Sequence, residues 1–475
     1  MKSHSQYPTI TNFPSLPNPH SLWEGDRGWV LVGARFLIFA LLVICSTQAY
    51  AKKWTLKDCI DYALQNNITL QKSRLQMLNA QEDLLQSQAK LLPSLSFSTS
   101  QNVTYRPFVE SGQSTVTNGY VQSSVDKVYY NGTYGVNANW TIWNGGQNHD
   151  QIRLNRLATQ QAELDSATTA NSIQEQIASL YVQILYADEA IKVNQESLNT
   201  AIKNAERGQV MFNVGKMSKA DLAQLTAQQA QDQYIVVESE SALQNYKRQL
   251  KELLQIANDE EFDVVIPETT DQMALETIPL LNTVYTEALS HRPEIRNAQL
   301  GIEVSDLNIK MAKASRLPSV GLTAAAGTNT TSMNDNAWTK QLKTNFDLAA
   351  GVTVSVPIFD QRQTKTAINK AQIQRESYLL DLQNQQTALY STIENYWLQA
   401  TTNQSKFIAA KESTKSAQES YYLLSEQFRM GLKNIIELMT GKELLLQAQQ
   451  SELQSKYLTI LNIHMLKFYQ TGQLK

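Results

Sequence analysis

Apolar and polar residues alternate along four segments of the chain. In the clearest of them, residues 134–142, Tyr, Val, Ala, Trp and Ile are separated by Gly, Asn and Thr. A second segment covers 348–358, and weaker versions cover 95–97 and 320–326. Because successive side chains of a strand point to opposite faces, this pattern predicts four strands with one apolar and one polar face. The two longer segments also have the length of a tilted transmembrane strand.

Most of the remaining chain is rich in Ala and Gln. A sparse apolar seam runs through it at coiled-coil spacing, as in Leu154, Leu157, Leu164 and Ile173. Proline ends the first helix of each half because it lacks an amide proton, and glycine ends the longest ones. The predicted helices cover 56–91, 148–212, 218–256, 281–316, 364–428 and 434–468.

The sequence contains an internal repeat. Residues 63–95 align with 288–320 at a constant offset of 225, and 142–222 align with 358–438 at an offset of 216. Two gapless registers of this length indicate a duplication. The predicted organisation is a signal peptide with an unusually long n-region over 1–51, a first repeat over 52–256, an inter-repeat linker over 257–280 and a second repeat over 281–475.

The signal peptide is predicted from the apolar run 36–44, which follows Arg35 and leads to the small-residue exit 49–51. A lipoprotein signal with lipid on Cys45 is an alternative. No later segment has the roughly 20 apolar residues of a membrane-spanning helix. The mature chain is therefore either soluble outside the cytoplasm or inserted as strands.

Four strands are too few to close a barrel, since about eight is the minimum. Open sheet edges are not tolerated in lipid, so an inserted chain must associate with copies of itself. Three chains of four strands would supply twelve, and rotational symmetry is the usual way to build such a ring.

Leu-Pro-Ser occurs at both helix-to-strand junctions, 92–94 and 317–319, and the hairpin turns contain the stretch 212–215 with Asp221-Leu222, and Phe428 with Gly431 and Glu437-Leu438. These junctions and turns resemble those of the TolC family of outer-membrane efflux proteins.

The resemblance implies a mixed α and β fold made mostly of long α-helices. It implies a homotrimer with a 12-stranded outer-membrane β-barrel in contact with outer-membrane lipid, continuous with a periplasmic α-helical barrel. The expected function is the outer-membrane channel of a tripartite efflux or type I secretion system, with a periplasmic adaptor (membrane fusion protein) and an inner-membrane pump as partners. By the same resemblance, 257–280 would be the equatorial region.

The resemblance also implies two sets of functional residues at the hairpin tips. The adaptor-contact residues would be Gly215, Lys216, Met217, Ser218, Gly431, Leu432, Lys433 and Asn434. The periplasmic gate would consist of Asp221, Phe428, Lys433 and Glu437. Thr440 stands where the family has a second acidic residue, so the acidic ring is incomplete.

Composition excludes several other functions. The net charge of −3 and pI of about 6.1 provide no basic surface for nucleic acid. The histidines His149, His291 and His464 are scattered, and there is no phosphate-binding loop or nucleophile elbow. We therefore predict no catalytic residues, cofactor or metal. The alternative to a duct is a periplasmic coiled-coil scaffold or adaptor without a membrane barrel.

Overall fold

The computed structural model of the protein describes residues 53–108, 115–117, 120–122, 126–256, 262–267 and 269–474. The predicted signal peptide and Cys45 lie outside the described residues, as do residues 257–261 and 268 of the predicted linker. No helix in the described ranges is both long enough and apolar enough to cross a membrane.

In both halves of the described chain, two consecutive helices are followed by two long strands, a 67-residue helix and a return helix, but the elements between the two strands differ. The helices are α1 (Leu56–Asn66), α2 (Ile68–Ala89), α3 (Gln147–Asn213), α4 (Lys219–Leu254), α5 (Asp271–Ala274), α6 (Leu281–His291), α7 (Pro293–Ala314), α8 (Trp338–Thr344), α9 (Gln363–Arg429) and α10 (Ile435–Thr471). The strands are β1 (Lys53–Trp54), β2 (Ser94–Tyr105), β3 (Thr115–Thr117), β4 (Tyr120–Gln122), β5 (Val128–Trp143), β6 (Asp263–Val264), β7 (Ser319–Thr331) and β8 (Asp347–Ser355). The long helices α3 and α9 have 67 residues each, which corresponds to about 100 Å at 1.5 Å per residue.

The prediction of one unbroken first helix in each half was wrong. Asn67 is extended and caps α2 by accepting hydrogen bonds from the amides of Thr69 and Leu70. In the second half Arg292 is extended in the same way, and Pro293 follows it at the first helical position. Both breaks fall at the same place in the repeat, because Asn67 and Arg292 are 225 residues apart. The Asn67 cap in the first half and Pro293 in the second half explain why a new helix begins at this position.

The four longer strands form one antiparallel sheet in the order β2-β5-β7-β8. The prediction that the last strand reaches residue 358 was wrong, because β8 ends at Ser355, just before a segment that contains Pro357.

One face of this sheet is apolar and the other is polar. Paired residues share a face, and the row Phe97–Val136–Ala326–Leu348 crosses all four strands. The next row along the strands, on the opposite face, is Ser98–Gly135–Gly327–Asp347. The apolar face is largely uncovered; Phe97 and Leu348 are 68% and 76% exposed.

The helices form two layers below the sheet. Next to the sheet they pack in the order α2-α3-α7-α9, and further away in the order α4-α3-α10-α9. The helical layer next to the sheet thus ends on α2 and α9. Helix α2 directly precedes the edge strand β2, and α9 directly follows the other edge strand, β8. The open edges of the sheet and of the helical layer therefore lie on the same two sides.

Residues 262–267 and 269–276 cross the helices where the two layers meet. β6 pairs in parallel with β1, and the Tyr181 hydroxyl donates to the Val265 carbonyl at 2.5 Å. Asp271 bonds to Lys411 of α9 at 2.6 Å and lies 3.3 Å from Lys456 of α10. These contacts attach the segment to helices of both repeats, at the position along the helices where the hairpins begin.

Candidate functional site

Each hairpin of long helices ends in a turn with a left-handed glycine. Gly215 follows α3 with φ of 72° and Gly431 follows α9 with φ of 76°. No neighbouring atom lies within 4 Å of the position where a Cβ would be at either glycine. Glycine is therefore needed here for backbone conformation and not for close packing, and the turn surfaces are open.

In the first turn, Lys216 and Ser218 are exposed and Met217 is half-buried. The Ser218 hydroxyl caps α4 by accepting from the Asp221 amide at 3.0 Å, and it donates to the Asp221 carboxylate at 2.8 Å. The predicted gate residue Asp221 is thus bonded to its own helix cap within the chain.

In the second turn, Asn434 and Glu437 form a reciprocal capping box. The Asn434 side chain accepts from the Glu437 amide at 2.9 Å, and the Asn434 amide donates to the Glu437 carboxylate at 3.1 Å. Lys433 binds the same carboxylate at 2.5 Å, so two predicted gate residues are in direct contact. The Lys433 hydrogen bond, followed by that from the Asn434 amide, lowers the pKa of Glu437. Thr440 is exposed one turn further on.

Phe428, the aromatic gate residue predicted from the sequence, lies in a hydrophobic cluster between the two hairpins. It is 6% exposed and does not face solvent in the single chain. The cluster combines residues of α3, α4, α9 and α10, namely Ala205, Leu225, Phe428, Ile435 and Leu438. The four helix ends near the tips are therefore joined by one small core.

Near this cluster, each hairpin packs a leucine against a glycine, with the roles exchanged. A Cβ at Gly208 of α3 would lie 2.5 Å from Cδ1 of Leu225 of α4. In the second hairpin a Cβ at Gly441 of α10 would lie 2.6 Å from Cδ1 of Leu424 of α9. The offset of 216 places Leu424 on Gly208 and Gly441 on Leu225. The glycine that allows close packing is thus on the first helix of one hairpin and on the second helix of the other.

A buried ion pair connects the hairpins above the cluster. Lys442 of α10 bonds the Asp232 carboxylate of α4, and their side chains are 8% and 1% exposed. Ser197 of α3 donates to the same carboxylate at 3.1 Å, and Gln228 donates to it at 2.7 Å. The carboxylate therefore receives hydrogen bonds from three helices, which compensates for its burial.

Sequence reasoning missed this pair. Asp232 lies within an Ala/Gln-rich stretch, and Lys442 follows the buried Gly441. A charged residue on the apolar seam of a helix could have indicated a buried charge. The sequence does not reveal that the two residues are in contact, because they are 210 positions apart.

The described residues contain no group of three His, Cys, Asp or Glu side chains arranged to hold a metal ion. The site thus consists of two exposed turns at the tips, followed along the helices by a small core and then by an ion pair, and the core and the ion pair hold the two hairpins together. Such an arrangement is suited to a change in hairpin packing.

Comparison with known proteins identifies several relatives. Residues 59–255 and 284–463 match the family described as outer membrane efflux protein. Toxin and drug export protein A of Aggregatibacter actinomycetemcomitans is 21% identical over 406 residues, which cover 85% of this chain and 83% of that protein. Outer membrane protein TolC of Escherichia coli is 20% identical over 60% of this chain and 58% of TolC. The CmeC outer membrane channel of Campylobacter jejuni superimposes with a TM-score of 0.71 at 19% identity, over 87% of this chain and 86% of CmeC.

Proposed function

Because the chain belongs to the outer membrane efflux protein family, we propose that three copies form a passive, gated duct from the periplasm to the exterior. The duct combines a 12-stranded β-barrel in the outer membrane with an α-helical barrel in the periplasm. It serves as the outer-membrane component of a tripartite efflux or type I secretion system. The structural neighbour CmeC is an outer membrane channel, and no catalytic step is part of the proposal.

The observation that carries this proposal is the coincidence of the open edges. β2 and β8 end the sheet, and α2 and α9 end the adjoining helical layer. Pairing β8 of one copy with β2 of the next also brings α9 of the first against α2 of the second. One rotation therefore closes both layers, as expected of a ring built from identical interfaces.

The internal repeat supports the same closure at the level of single residues. Within the chain, α3 packs against α7, and Asn297 donates to the Asp165 carboxylate at 2.5 Å. The repeat registers carry Asp165 onto Asp381 of α9 and Asn297 onto Lys72 of α2. The contact between copies would thus pair a carboxylate with a lysine, and both side chains are exposed in the single chain.

An apolar position shows the same relation. Leu300 of α7 is 1% exposed because α7 has helices on both sides. Its counterpart in the first repeat, Leu75 of α2, is 59% exposed. A neighbouring α9 in the trimer would bury Leu75 as α3 and α9 bury Leu300.

We assign the turns at 215–218 and 431–434 as the adaptor-contact surface, through which an inner-membrane pump is coupled. Their open glycine turns and exposed side chains favour docking of a helical hairpin. We assign Asp221, Phe428, Lys433 and Glu437 to the closed gate, and add Asp232 and Lys442 as the buried contact that holds the hairpins together. With Thr440 uncharged, each chain contributes one carboxylate, Glu437, to the acidic ring.

The competing function is a periplasmic coiled-coil scaffold without a membrane barrel. The apolar sheet face argues against it, because exposed apolar patches of this kind mark interaction or membrane surfaces. Extraction of cell envelopes tests the choice. A duct requires detergent, migrates as a trimer and conducts ions in planar bilayers, whereas a scaffold is released by aqueous buffer and leaves the bilayer silent.

A further inference from the structure

Helix α8, which the sequence did not predict, covers the end of β7 farthest from the long helices. β8 begins opposite Gly327, so β7 continues to Thr331 without a partner on that side. The Gln341 side chain accepts from the Thr331 amide at 2.8 Å, and the Asn345 side chain donates to the Asn329 carbonyl at the same distance. Side chains of the α8 segment thus satisfy the strand edge that β8 leaves open.

The helix is fixed on the apolar side of the sheet. The Trp338 ring packs edge-on against the Tyr134 ring, with centroids 6.1 Å apart. Tyr134 shares its face with Val136, and therefore with the apolar row through Phe97. The Thr328 hydroxyl, on the same face, donates to the Leu342 carbonyl at 2.8 Å. These contacts hold α8 in one position on the outward side.

Aromatic residues delimit the apolar band at both ends. Trp143 shares the apolar face near the helices, because the bulge after Thr141 pairs it with Val320. Along β5, Tyr134 is nine residues away, or about 30 Å at 3.3 Å per residue. With a strand tilt near 40°, the depth along the bilayer normal is about 23 Å, close to the ~25 Å apolar band of outer-membrane barrels. Tyr134 and Trp338 therefore mark the outer headgroup level.

Two lysines lie at this level on the far side of α8. Lys340 and Lys343 are exposed and three residues apart, so they occupy one helix face. Trp338 and the buried Gln341 occupy the face toward the sheet. One acidic residue, Asp335, lies in the turn that precedes the helix. The helix thus directs two cations outward where lipid headgroups lie.

We propose that Lys340 and Lys343 form a binding site for the phosphate groups of anionic lipids in the outer leaflet. The ligand is a phosphorylated lipid because the cations adjoin an apolar band and an aromatic pair, which accommodate acyl chains and headgroup respectively. Bound phosphate would fasten α8 to the membrane surface beside the seam between copies. The inference rests on the proposed function, since it requires the sheet to face lipid.

The test uses the detergent-purified full-length protein and diphosphorylated lipid A as the probe. The lipid is titrated while the melting temperature is followed by tryptophan fluorescence. We expect saturable stabilisation, and for the double variant K340Q/K343Q a half-saturating concentration about thirtyfold higher, since each of the two lysines near anionic lipid contributes to binding. The matched control is K406Q/K415Q, which removes two exposed lysines of α9 that lie far from the sheet and should bind the lipid like the wild type.

Three outcomes would overturn the site. K340Q/K343Q could bind as tightly as the wild type, dephosphorylated lipid could stabilise equally, or inorganic phosphate alone could reproduce the effect. The last result would mean a free-anion site and not a lipid site. Bilayer conductance of the wild type and of K340Q/K343Q separates the two levels of the proposal. If the wild-type protein conducts ions but does not bind the lipid, only the lysine site is rejected. If the wild-type protein does not conduct ions, the duct itself is rejected.

Discussion

Asp232 and Lys442 form a buried ion pair that joins the first hairpin of the chain to the second. The pair lies above the cluster that contains Phe428, and no other salt bridge among the described residues is as deeply buried on both sides. If the proposed gate opens by movement of one hairpin away from the other, these charges must separate.

The Lys442→Met variant should therefore weaken the closed hairpin packing strongly. It leaves Asp232 buried without its cation, which costs about 3–5 kcal/mol. The solvent-accessible Lys433–Glu437 pair provides the control, because Lys433→Met should cost much less than Lys442→Met, as is usual for ion pairs in contact with water. Urea titration of the detergent-solubilised protein measures the free energies of unfolding, and bilayer conductance measures opening. Equal stability losses in the two variants would refute the assignment of Asp232 and Lys442.

The contact between Gly208 and Leu225 should tolerate exchange of the two residues together, but not substitution of Gly208 alone. Gly208→Leu places a second leucine against the buried Leu225 and should destabilise the hairpin by about 1–3 kcal/mol. The double variant G208L/L225G reproduces the Leu424–Gly441 arrangement of the second hairpin and should regain most of that loss. Thermal unfolding of both variants checks this. A double variant that loses the sum of the two single effects would mean that the contacts are not equivalent.

The sequence predicted the long helices closely because their periodicity is continuous. It located all four strands, but 95–97 marks only part of the 12-residue β2. The long helix predicted over 148–212 is Gln147–Asn213 in the structure. The breaks at Asn67 and Arg292 were missed because a single extended residue hardly changes the hydrophobic pattern of the helix around it.

The candidate site was only partly readable. The start of the last helix was predicted at residue 434, and in the structure Asn434 caps α10, which begins at Ile435. The burial of Phe428 and the pairing of Asp232 with Lys442 depend on contacts between distant segments. Helix α8 was missed because seven residues are too few to establish a period.

Glu437 should remain ionised in acid where an ordinary glutamate does not. Lys433 and the Asn434 amide lower its pKa below the usual 4.5. A depressed pKa means that the contribution of the carboxylate is present above the ordinary value and is lost as pH falls through the lowered one. Cation selectivity from reversal potentials should therefore persist below pH 4.5. Lys433→Met should move its loss to higher pH; an unchanged midpoint would show that Lys433 does not set this pKa.

Lysine should be costly on only one face of the sheet. Val352 is on the apolar face and the adjacent Thr353 is on the polar face. In a lipid-facing strand, Val352→Lys should cost about 2–4 kcal/mol near the bilayer midplane, and Thr353→Lys much less. Folding into phospholipid vesicles, measured by urea titration, compares them. Equal tolerance of both substitutions would contradict a lipid-facing sheet.

The most direct test of the trimeric duct is crosslinking through the seam that the repeat identifies. The double variant K72C/D381C places cysteines on α2 and α9, which lie on opposite edges of one chain. Closure by three copies predicts that a short bismaleimide in native envelopes yields covalent dimers and trimers and nothing larger. Neither single variant should do so. Absence of any linked product, or a ladder that continues beyond three chains, would contradict it.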